Sequence, residues 1–317
     1  MMTTQPARTL AAKLTAIANF FALGEVLDHQ RIHHSTNENY LVTTSQGEYL
    51  FKIIVNTTIE DICNGLPFLQ RLEQQQFAST AYYLPSPLGE VAYCSHDCNA
   101  VVLRKLPGNI PDPSEQVCAA IGQPLAKLHL IPHDQLPEKR HWLDARYLPE
   151  AIQAVVARYG TDRLHETLKV FSSLQDFKPA TFPQAIIHGD LCTVNCLFEG
   201  DQLTAFVDWQ EIGIGAALID FVSTVLGFCF IDEPEGADYW AIFDPNLYCA
   251  LYQSYTSIRP FSDYEKAHLD YAFKYVGLTQ PVWSMLMWDQ YHQGQEMIET
   301  NTMYWKFGLD KITLPKL

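Results

Sequence analysis

The sequence contains no run of about 18 apolar residues, the length that a membrane-spanning helix requires. Its first ten residues are polar, include Pro6 and Arg8, and lack the apolar core of a signal peptide. Eight cysteines are scattered along the chain, several of them in apolar runs, which favours buried thiols over a disulfide framework. We therefore expect a cytoplasmic protein with no membrane segment.

Positive charge is also scarce, because 21 Lys and Arg stand against 36 Asp and Glu, for a formal net charge of −15. A general nucleic-acid binder needs a basic face to meet phosphates, so we expect no nucleic-acid partner. The balance suits a neutral or cationic small molecule instead. With 317 residues, 48% of them hydrophobic, the chain is long enough for two lobes that share a cleft.

The first third of the sequence alternates predicted helices and strands, which is typical of a small α+β region. An apolar helical repeat covers residues 9–23, and residues 40–44 and 49–55 predict a β-hairpin. The remaining predicted elements are a helix over 59–76 and strands over 82–84, 91–93 and 100–106. Together they predict an antiparallel sheet that carries a helix.

A glycine and three prolines within residues 107–113 predict a linker, and the sequence beyond it is mostly helical in pattern. The predicted elements there are helices over 114–130, 146–159 and 161–175, short strands over 185–188 and 203–208, and a mostly helical region over 216–306. We therefore predict a bilobal α+β fold. Residues 1–106 form the small sheet lobe and residues 107–317 the mainly helical lobe.

One segment, HGDLCTVNCLF at residues 188–198, combines carboxylate and amide side chains at a defined spacing. Asp190 follows a predicted strand, Asn195 stands five residues later, and Asp208 ends the next predicted strand. Phosphoryl transfer from ATP requires a divalent cation on the phosphates, and Mg²⁺ prefers hard oxygen ligands such as these. We predict ATP and Mg²⁺ as cofactors, Asn195 and Asp208 as metal ligands, and Asp190 as the catalytic residue that orients the attacking hydroxyl.

A purely structural interpretation of this segment treats Asp190 and Asn195 as turn and cap residues of a polar loop. That interpretation does not explain why a second strand ends in Asp208, thirteen residues after Asn195. The spacing His-x-Asp-Leu-x-x-x-Asn also matches the catalytic loop of protein kinases. The functional interpretation is therefore favoured, with His188 in a structural role through hydrogen bonds to loop backbone or a carboxylate.

The segment resembles the catalytic motif of the aminoglycoside phosphotransferase/choline kinase family, the small-molecule relatives of protein kinases. Residues 34–49, HSTNENYLVTTSQGEY, are similar to the phosphate-binding hairpin of its homoserine kinase branch. Gly215 and Asp220 match the structural residues that follow the second metal ligand. The resemblance implies a protein-kinase-like fold with nucleotide between the lobes. It also implies phosphoryl transfer to a hydroxyl of a small amino alcohol or hydroxy amino acid such as homoserine.

The same resemblance implies a role for Lys52, which stands in a predicted strand after the hairpin. A lysine at this place is expected to bind the α- and β-phosphates and to pair with a glutamate of the next helix. Glu73 is favoured as that partner over Glu60. The structural alternative is an edge-strand lysine that faces water.

Other nucleotide contacts are expected from the hairpin and from the hinge between the lobes. Ser35, Thr36 and Asn37 belong to a hairpin without glycine and are expected to meet phosphates through hydroxyl and N–H groups. An ordinary polar turn is the alternative. Leu103 and Leu106 are the hinge residues expected to contact adenine.

The acceptor site of this family is built from C-terminal helices, so the aromatic tail of the chain is its expected location. Trp288 and Tyr291, with Trp283, are candidates for an aromatic wall, and Asp289 for binding a substrate ammonium. Aromatic residues at helical spacing are more often core, which is the favoured interpretation for any single one. Met285 and Met287 stand where the homoserine branch tends to carry basic residues.

Several functions stay open at this point. The alternative acceptors are choline or ethanolamine, an aminoglycoside, or a protein Ser/Thr. A nucleotide-binding pseudokinase scaffold is the alternative outside catalysis, supported only by the glycine-free hairpin. The pattern of residues leaves the acceptor, the choice of ATP or GTP, and the oligomeric state undetermined.

Overall fold

The computed structural model describes residues 9–32, 37–55, 57–77, 80–232, 241–291, 312 and 314 of the chain. This part of the chain confirms the expected α+β composition, with an antiparallel sheet followed by a mainly helical region. Among these residues, no helix is long and apolar enough to cross a membrane.

A five-stranded antiparallel sheet forms first, with strand order β1-β2-β3-β5-β4. Its strands are β1 (Val26–Ile32), β2 (Glu38–Thr44), β3 (Gly47–Ile53), β4 (Tyr93–Cys94) and β5 (Asn99–Arg104). Helix α1 (Leu10–Phe20) precedes the sheet, and helix α2 (Ile59–Gln74) lies between β3 and β4 in the chain. Both helices begin at capped positions, since the Thr9 side chain accepts a hydrogen bond from Ala12 N–H and Thr58 forms a capping box with Asp61.

The two faces of this sheet have different surroundings, one a core and the other a cleft. Tyr40, Phe51 and Val102 are neighbours across β2, β3 and β5, and all three are buried in a core shared with α1. Side chains alternate along a strand, so Lys52 and its cross-strand partner Asn39 point to the opposite face. That face lines a cleft.

The helical region begins after the sheet and contains most of the second, larger core. Its helices are α3 (Glu115–His129), α4 (Tyr147–Tyr159), α5 (His165–Ser173), α6 (Ala217–Phe228), α7 (Pro245–Thr256), α8 (Asp263–Ala267), α9 (Leu269–Leu286) and α10 (Trp288–Tyr291). Helix α2 also contributes Phe68 and Leu72 to this core, although its sequence lies within the predicted sheet lobe. The lobe boundary near residue 106 stays a prediction.

The helical region also contains three short strand pairs, and two of them flank the segments that carry Asp190 and Asp208. The pairs are β6 (Gln184–Ile187) with β9 (Gly213–Ala216), β7 (Cys196–Glu199) with β8 (Gln202–Phe206), and β10 (Phe230–Asp232) with β11 (Ala241–Phe243). The loop over 188–195 joins β6 to β7, and Asp208 follows β8 by two residues. Both segments are therefore fixed at their ends by strand pairing.

The elements differ from the sequence prediction in several places, among them three segments predicted or observed as strands. Strand β1 was not predicted because its residues are polar and mostly exposed, so no apolar alternation marks it. Strand β7 was not predicted either, as it lay inside the expected loop. Residues 82–84 form only an isolated bridge, between Tyr83 and Leu103, instead of a full strand.

Helices α3 and α7 pack closely because α3 carries a glycine at the contact. A Cβ built on Gly122 would lie 2.7 Å from Leu251 O and 2.7 Å from Tyr255 N. Both atoms belong to backbone, which cannot rotate away, so the two helices would have to separate to admit a methyl group.

We expect Gly122→Ala to lower the free energy of unfolding by about 1–3 kcal/mol. The methyl group would overpack the α3–α7 contact, and this cost outweighs the gain of roughly 1 kcal/mol that alanine brings to a helix. Urea denaturation followed by circular dichroism measures the change. Gly65→Ala in α2 is the matched control, because there the nearest atom is the Ile212 Cγ2 methyl at 3.3 Å, which has room to move. A Gly122→Ala protein as stable as the control would contradict this account.

Candidate active site

The loop between β6 and β7 carries Asp190, which is exposed to solvent. Gly189, just before it, has a φ of 83° and lies so close to the chain that a Cβ there would be 2.6 Å from Glu211 O, so glycine is required. The His188 ring is buried and donates from Nε2 to Val207 O at 3.0 Å, while its Nδ1 accepts from Asp190 N–H at 3.3 Å. The expected structural role of His188 is thus confirmed, and its ring joins the loop to the segment that carries Asp208.

The backbone of this loop is held by the carboxylate of Asp220, which lies in α6 and is fully buried. One oxygen, Oδ1, accepts from Gly189 N–H at 2.8 Å, and the other, Oδ2, accepts from His188 N–H at 3.0 Å. Two consecutive peptide N–H groups can meet one carboxylate in this way only in a fixed backbone conformation. Asp220 therefore determines the conformation of the chain immediately before Asp190.

A second pair of buried side chains orients Asp220 itself. His129 of α3 donates from Nε2 to Asp220 Oδ2 at 3.0 Å, and the Tyr255 hydroxyl donates to His129 Nδ1 at 2.6 Å. Burial lowers the pKa of His129, which is consistent with a neutral ring that donates from one nitrogen and accepts at the other. Burial raises the pKa of Asp220, but the hydrogen bond and charge of His129 and the backbone N–H groups outweigh it, so the net pKa is lowered. Asp220 is thus ionised near neutral pH.

Asn195 and Asp208 complete the oxygen-rich end of the cleft. The Asn195 amide nitrogen donates to Asp190 O at 2.7 Å and to Asp190 Oδ2 at 3.1 Å. These bonds orient the amide through its nitrogen and leave its oxygen as the group for a cation. Asp208 has a left-handed backbone, with φ and ψ both 62°, which is uncommon for a non-glycine residue and typical of functional sites.

Lys52 links the sheet to this site across the cleft. Its Nζ lies 2.7 Å from Asp208 Oδ1, and the lysine is only 4% exposed. A buried lysine side chain is costly unless its charge is paired, and the Asp208 carboxylate supplies the pairing. The ion pair places a cationic group and a potential metal ligand side by side at the end of the cleft.

The negative charges gathered here affect Asp190 directly. Burial, followed by the charges of Asp208 and Glu211, raises the pKa of Asp190 to about 7. The side chain is still exposed to solvent, so water screens part of this effect. A cation bound by Asp208 would oppose the shift, because positive charge favours the ionised carboxyl.

The side chains present fit a magnesium ion. Two carboxylates and one amide oxygen are hard donors of the kind that Mg²⁺ takes, with phosphate oxygens and water expected to fill the remaining positions. Asp208 keeps Oδ2 for a cation while Oδ1 bonds Lys52. Asn195 and Asp208 are the side chains that could hold the metal, and this role stays a prediction.

The cleft between the sheet and the helical region is lined mostly by apolar side chains and includes a smaller set of polar groups. It has a volume of about 270 Å³. The apolar lining includes Leu41, Leu50, Leu103, Leu106, Leu197 and Val207, and the polar lining includes Asn39, Lys52, Asn195 and Asp208, with Arg104 and Lys105 near the hinge. Such a cleft suits a flat apolar ring at one end and phosphates at the other.

A second cavity lies beside the turn that follows Asp208 and is formed largely by the segment between α3 and α4. We call it the acceptor-side cavity. Its lining residues are Thr57, Asp61, Lys139, Arg140, His141, Trp142, Tyr147, Gln210, Glu211, Trp283 and Met287. Trp142 connects it to the catalytic loop, since its indole Nε1–H donates to Gly189 O and its backbone N–H donates to Glu211 Oε2 at 3.0 Å.

The structure gathers most of the predicted nucleotide-side residues in one place. Lys52, Leu103 and Leu106 all line the cleft together with Asn195 and Asp208. Ser35 and Thr36 lie outside the described residues. Their roles in binding stay predictions.

Two predicted nucleotide contacts are placed differently. Asn37 is buried, and its side-chain oxygen accepts from Val55 N–H at 2.9 Å, so this oxygen fixes the end of β3 instead of facing the cleft. The expected pairing of Lys52 with Glu73 is wrong, because Lys52 bonds Asp208 and Glu73 is exposed in the last turn of α2. The α2 residue that lines the cleft is Leu69, an apolar side chain.

The predicted substrate residues of the tail are also placed differently. Trp288 is 6% exposed and belongs to the large core. A core position was the favoured interpretation for any single aromatic residue of the tail. Asp289 is exposed and pairs with Arg158 of α4, so its charge is already matched outside the acceptor-side cavity. The side chain of Tyr291 lies outside the described residues. Trp283 does line the acceptor-side cavity.

Sequence reasoning missed the residues that form most of this cavity. Lys139, His141, Trp142 and Glu211 were not singled out, because no catalytic motif contains them. A signal was nevertheless present: Lys139 to Trp142 reads Lys-Arg-His-Trp, a basic and aromatic run in a chain of net charge −15. Such a local excess of positive charge indicates a site for an anionic group.

Comparison with known proteins agrees with this geometry. Residues 28–256 match the model of the phosphotransferase enzyme family. A homoserine kinase of Janthinobacterium sp. (strain Marseille) is 29% identical over 258 residues, which cover 78% of this chain and 76% of that protein.

Two solved structures share the fold at low sequence identity. The choline kinase LicA from Streptococcus pneumoniae superposes with a TM-score of 0.59 at 16% identity, covering 91% of this chain and 94% of that chain. A spectinomycin phosphotransferase, solved in complex with ADP and spectinomycin, gives 0.60 at 13% identity, covering 92% of both chains. These likenesses confirm the predicted protein-kinase-like fold.

We expect Asp220→Asn to lower the free energy of unfolding by about 2–4 kcal/mol. The amide keeps one acceptor oxygen, so one of the three N–H donors that meet the carboxylate would face an NH₂ group in a fully buried site. Thermal and urea denaturation measure the loss. Asp270→Asn, the same change at an exposed position of α9, is the matched control and should alter stability by less than about 0.5 kcal/mol. Equal stability of the two variants would show that Asp220 does not hold the loop.

Proposed function

This chain belongs to the phosphotransferase enzyme family, and on that premise we propose that it transfers the γ-phosphate of ATP to the hydroxyl of a small amino alcohol or hydroxy amino acid, with L-homoserine as the first candidate. The family and its relatives are enzymes that phosphorylate hydroxyl groups of small molecules. The observation that carries the proposal is that Lys52, Asn195 and Asp208 line one cleft, with Asp190 hydrogen-bonded to Asn195 beside them.

In the proposed reaction, Asp190 orients the acceptor hydroxyl toward the γ-phosphate and accepts its proton late in transfer. The contacts of Asp190 support this role, because it bonds Asn195 on one side, and Gly189 next to it accepts a hydrogen bond from Trp142 of the acceptor-side cavity. Asn195 bonds the Asp190 carboxylate at Oδ2, which limits its rotation. Effective positioning of this kind supplies much of the rate in phosphoryl transfer, where the protein forms no covalent bond.

Asn195 and Asp208 would hold Mg²⁺, whose positive charge neutralises the phosphates when it is bound. Lys52 would bind the α- and β-phosphates from the sheet side. Its ion pair with Asp208 keeps the ammonium at the phosphate end of the cleft before nucleotide arrives. The same lysine would then exchange part of its contact with Asp208 for phosphate oxygens.

The apolar part of the cleft would hold adenine. Leu41 and Leu50 of the sheet lie on one side, and Leu197 and Val207 of the helical region on the other, so a flat ring fits between them. The ADP complex of the spectinomycin phosphotransferase supports an adenine nucleotide in a fold of this kind. Residues 1–106 and 107–317 would then be the two lobes on either side, and a cytoplasmic location stays a prediction.

The homoserine kinases among the relatives make homoserine the first acceptor to test. A cationic acceptor such as choline is the second candidate. It is favoured by one observation, that Trp142, Tyr147 and Trp283 line the acceptor-side cavity beside acidic side chains. A pseudokinase scaffold is disfavoured because the three metal and catalytic side chains are all present and adjacent.

A screen of hydroxyl compounds tests the proposal. Purified protein with ATP and Mg²⁺ is expected to release ADP and to form a phosphate ester, detected by mass spectrometry, with at least one small amino alcohol or hydroxy amino acid. Removal of divalent cations by chelation should abolish this turnover, because the phosphates would lose their neutralising charge. Nucleotide binding without ester formation from any compound would support the scaffold alternative instead.

We expect Asp190→Asn and Asp208→Asn each to lower kcat by roughly 10²–10⁴-fold. Each change removes a charged group from phosphoryl transfer while keeping the size of the side chain, so the fold should be retained. Steady-state kinetics with the best acceptor measures the loss, and thermal denaturation checks folding. Asp201→Asn, at an exposed position in the turn between β7 and β8, is the matched control. Near-normal turnover in Asp208→Asn would refute the assignment.

A further inference from the structure

The acceptor-side cavity carries both signs of charge on facing elements. Lys139 and Arg140 come from the segment between α3 and α4, Glu211 comes from the turn after Asp208, and Asp61 comes from α2. A cavity for a simple cation would need only the acids. The presence of a half-buried lysine in so acidic a chain therefore requires an explanation.

Lys139 is the positive group best placed to receive a ligand. Its Nζ donates to Gln210 O at 2.6 Å, which uses one of the three N–H donors of an ammonium. In the described part of the chain it forms no ion pair within hydrogen-bond distance, although Glu211 and Asp61 are near enough to act on its pKa. Burial nevertheless lowers that pKa. An anion at this point would offset the cost of burial.

Arg140 is not an equivalent choice. Its guanidinium pairs with Glu150 at the surface, where both side chains are more than half exposed. Its charge is therefore matched and directed toward solvent. Lys139 remains as the cation that the cavity offers to a ligand.

Glu211 is the corresponding negative group. Its Oε2 accepts from Trp142 N–H at 3.0 Å, and its backbone oxygen lies against Gly189, next to the catalytic aspartate. Asp61 is already engaged, because its Oδ2 accepts from the Thr58 N–H at 3.2 Å and from the Thr58 hydroxyl at 2.7 Å in the cap of α2. Each carboxylate has one oxygen engaged, but only Glu211 lies against Gly189 and acts on Asp190, so Glu211 is the carboxylate assigned to a ligand ammonium.

The wall of the cavity also contains a histidine, His141, with one ring nitrogen that has no hydrogen-bond partner among the described residues. His141 is 3% exposed and donates from Nε2 to Ile214 O at 3.0 Å, so its Nδ1 carries a lone pair. Among the described residues, no hydrogen-bond donor reaches that nitrogen. Unsatisfied buried polar atoms are rare in folded proteins and commonly belong to sites that bind something.

We infer that the acceptor-side cavity recognises the zwitterion of an α-amino acid, with Lys139 binding the carboxylate and Glu211 binding the ammonium while the side-chain hydroxyl reaches Asp190. The inference rests on the proposed function and narrows its acceptor class. It places the carboxylate-binding cation in the α3–α4 segment instead of the C-terminal tail. Choline, ethanolamine and aminoglycosides lack the carboxylate and would leave the half-buried Lys139 ammonium without an anion.

Three substrates that differ by one group test this inference. L-Homoserine carries both charges, 3-aminopropan-1-ol lacks the carboxylate, and 4-hydroxybutanoate lacks the ammonium. For the unchanged protein, kcat/KM for L-homoserine is expected to exceed that of either analogue by at least about 100-fold, because each analogue leaves one half-buried charge unpaired.

Two variants then test whether Lys139 binds the carboxylate of the ligand and Glu211 its ammonium. Lys139→Met is expected to lower kcat/KM for L-homoserine by roughly 10- to 100-fold and to change the value for 3-aminopropan-1-ol by less than about threefold. Glu211→Gln should show the same asymmetry between L-homoserine and 4-hydroxybutanoate. Lys139→Arg keeps the charge and should retain part of the preference, which separates lost recognition from lost folding. Lys169→Met, at an exposed position of α5, is the matched control.

The outcomes separate this inference from the proposed function. If hydroxyl compounds are phosphorylated but Lys139→Met lowers kcat/KM equally for L-homoserine and 3-aminopropan-1-ol, the inference is overturned and the proposed function stands. If no compound is phosphorylated, the proposed function fails. Titration calorimetry with L-homoserine and a non-hydrolysable ATP analogue then decides the inference. Binding that is lost in Lys139→Met supports the inference, and no binding to the unchanged protein overturns it.

Discussion

The buried carboxylate of Asp220 is the constraint on which the rest of the site depends. It accepts hydrogen bonds from two consecutive backbone N–H groups, those of His188 and Gly189, and so fixes the chain just before Asp190. Because the network continues through His129 to Tyr255, three helices contribute to holding one loop. The reactive carboxylate itself can then remain exposed to solvent without losing its position.

Among the described residues, the charged contact between the sheet and the site is the ion pair of Lys52 with Asp208. Lys52 and Asp208 are 156 residues apart in sequence, and their ion pair joins the two walls of the cleft. Strand alternation makes this possible, since the neighbours of Lys52 in β3 point into the core with α1 while Lys52 points to the cleft. The alternation of one strand thus both builds the sheet core and supplies the phosphate-binding group.

The sequence predicted the parts of the molecule that follow local rules. The two-part α+β fold followed from hydrophobic periodicity, and the grouping of Asp190, Asn195 and Asp208 followed from a motif whose spacing reflects strand–loop–strand geometry. Glu73 was misassigned because helix periodicity does not reveal which face of α2 meets the cleft. Lys139 and Glu211 were missed because their proximity depends on tertiary packing between segments about 70 residues apart, which no local pattern encodes. Asn37 was misplaced because its side-chain oxygen accepts from Val55 N–H, 18 residues away, a tertiary contact that no local pattern reveals.

A crystal structure with Mg²⁺ and a non-hydrolysable ATP analogue tests the central claim most directly. The account predicts Mg²⁺ bonded to side-chain oxygens of Asn195 and Asp208 at about 2.0–2.1 Å. It also predicts Lys52 on the α- or β-phosphate and the γ-phosphate facing Asp190. Nucleotide bound elsewhere on the protein, or a metal ion held without Asn195 and Asp208, would contradict it.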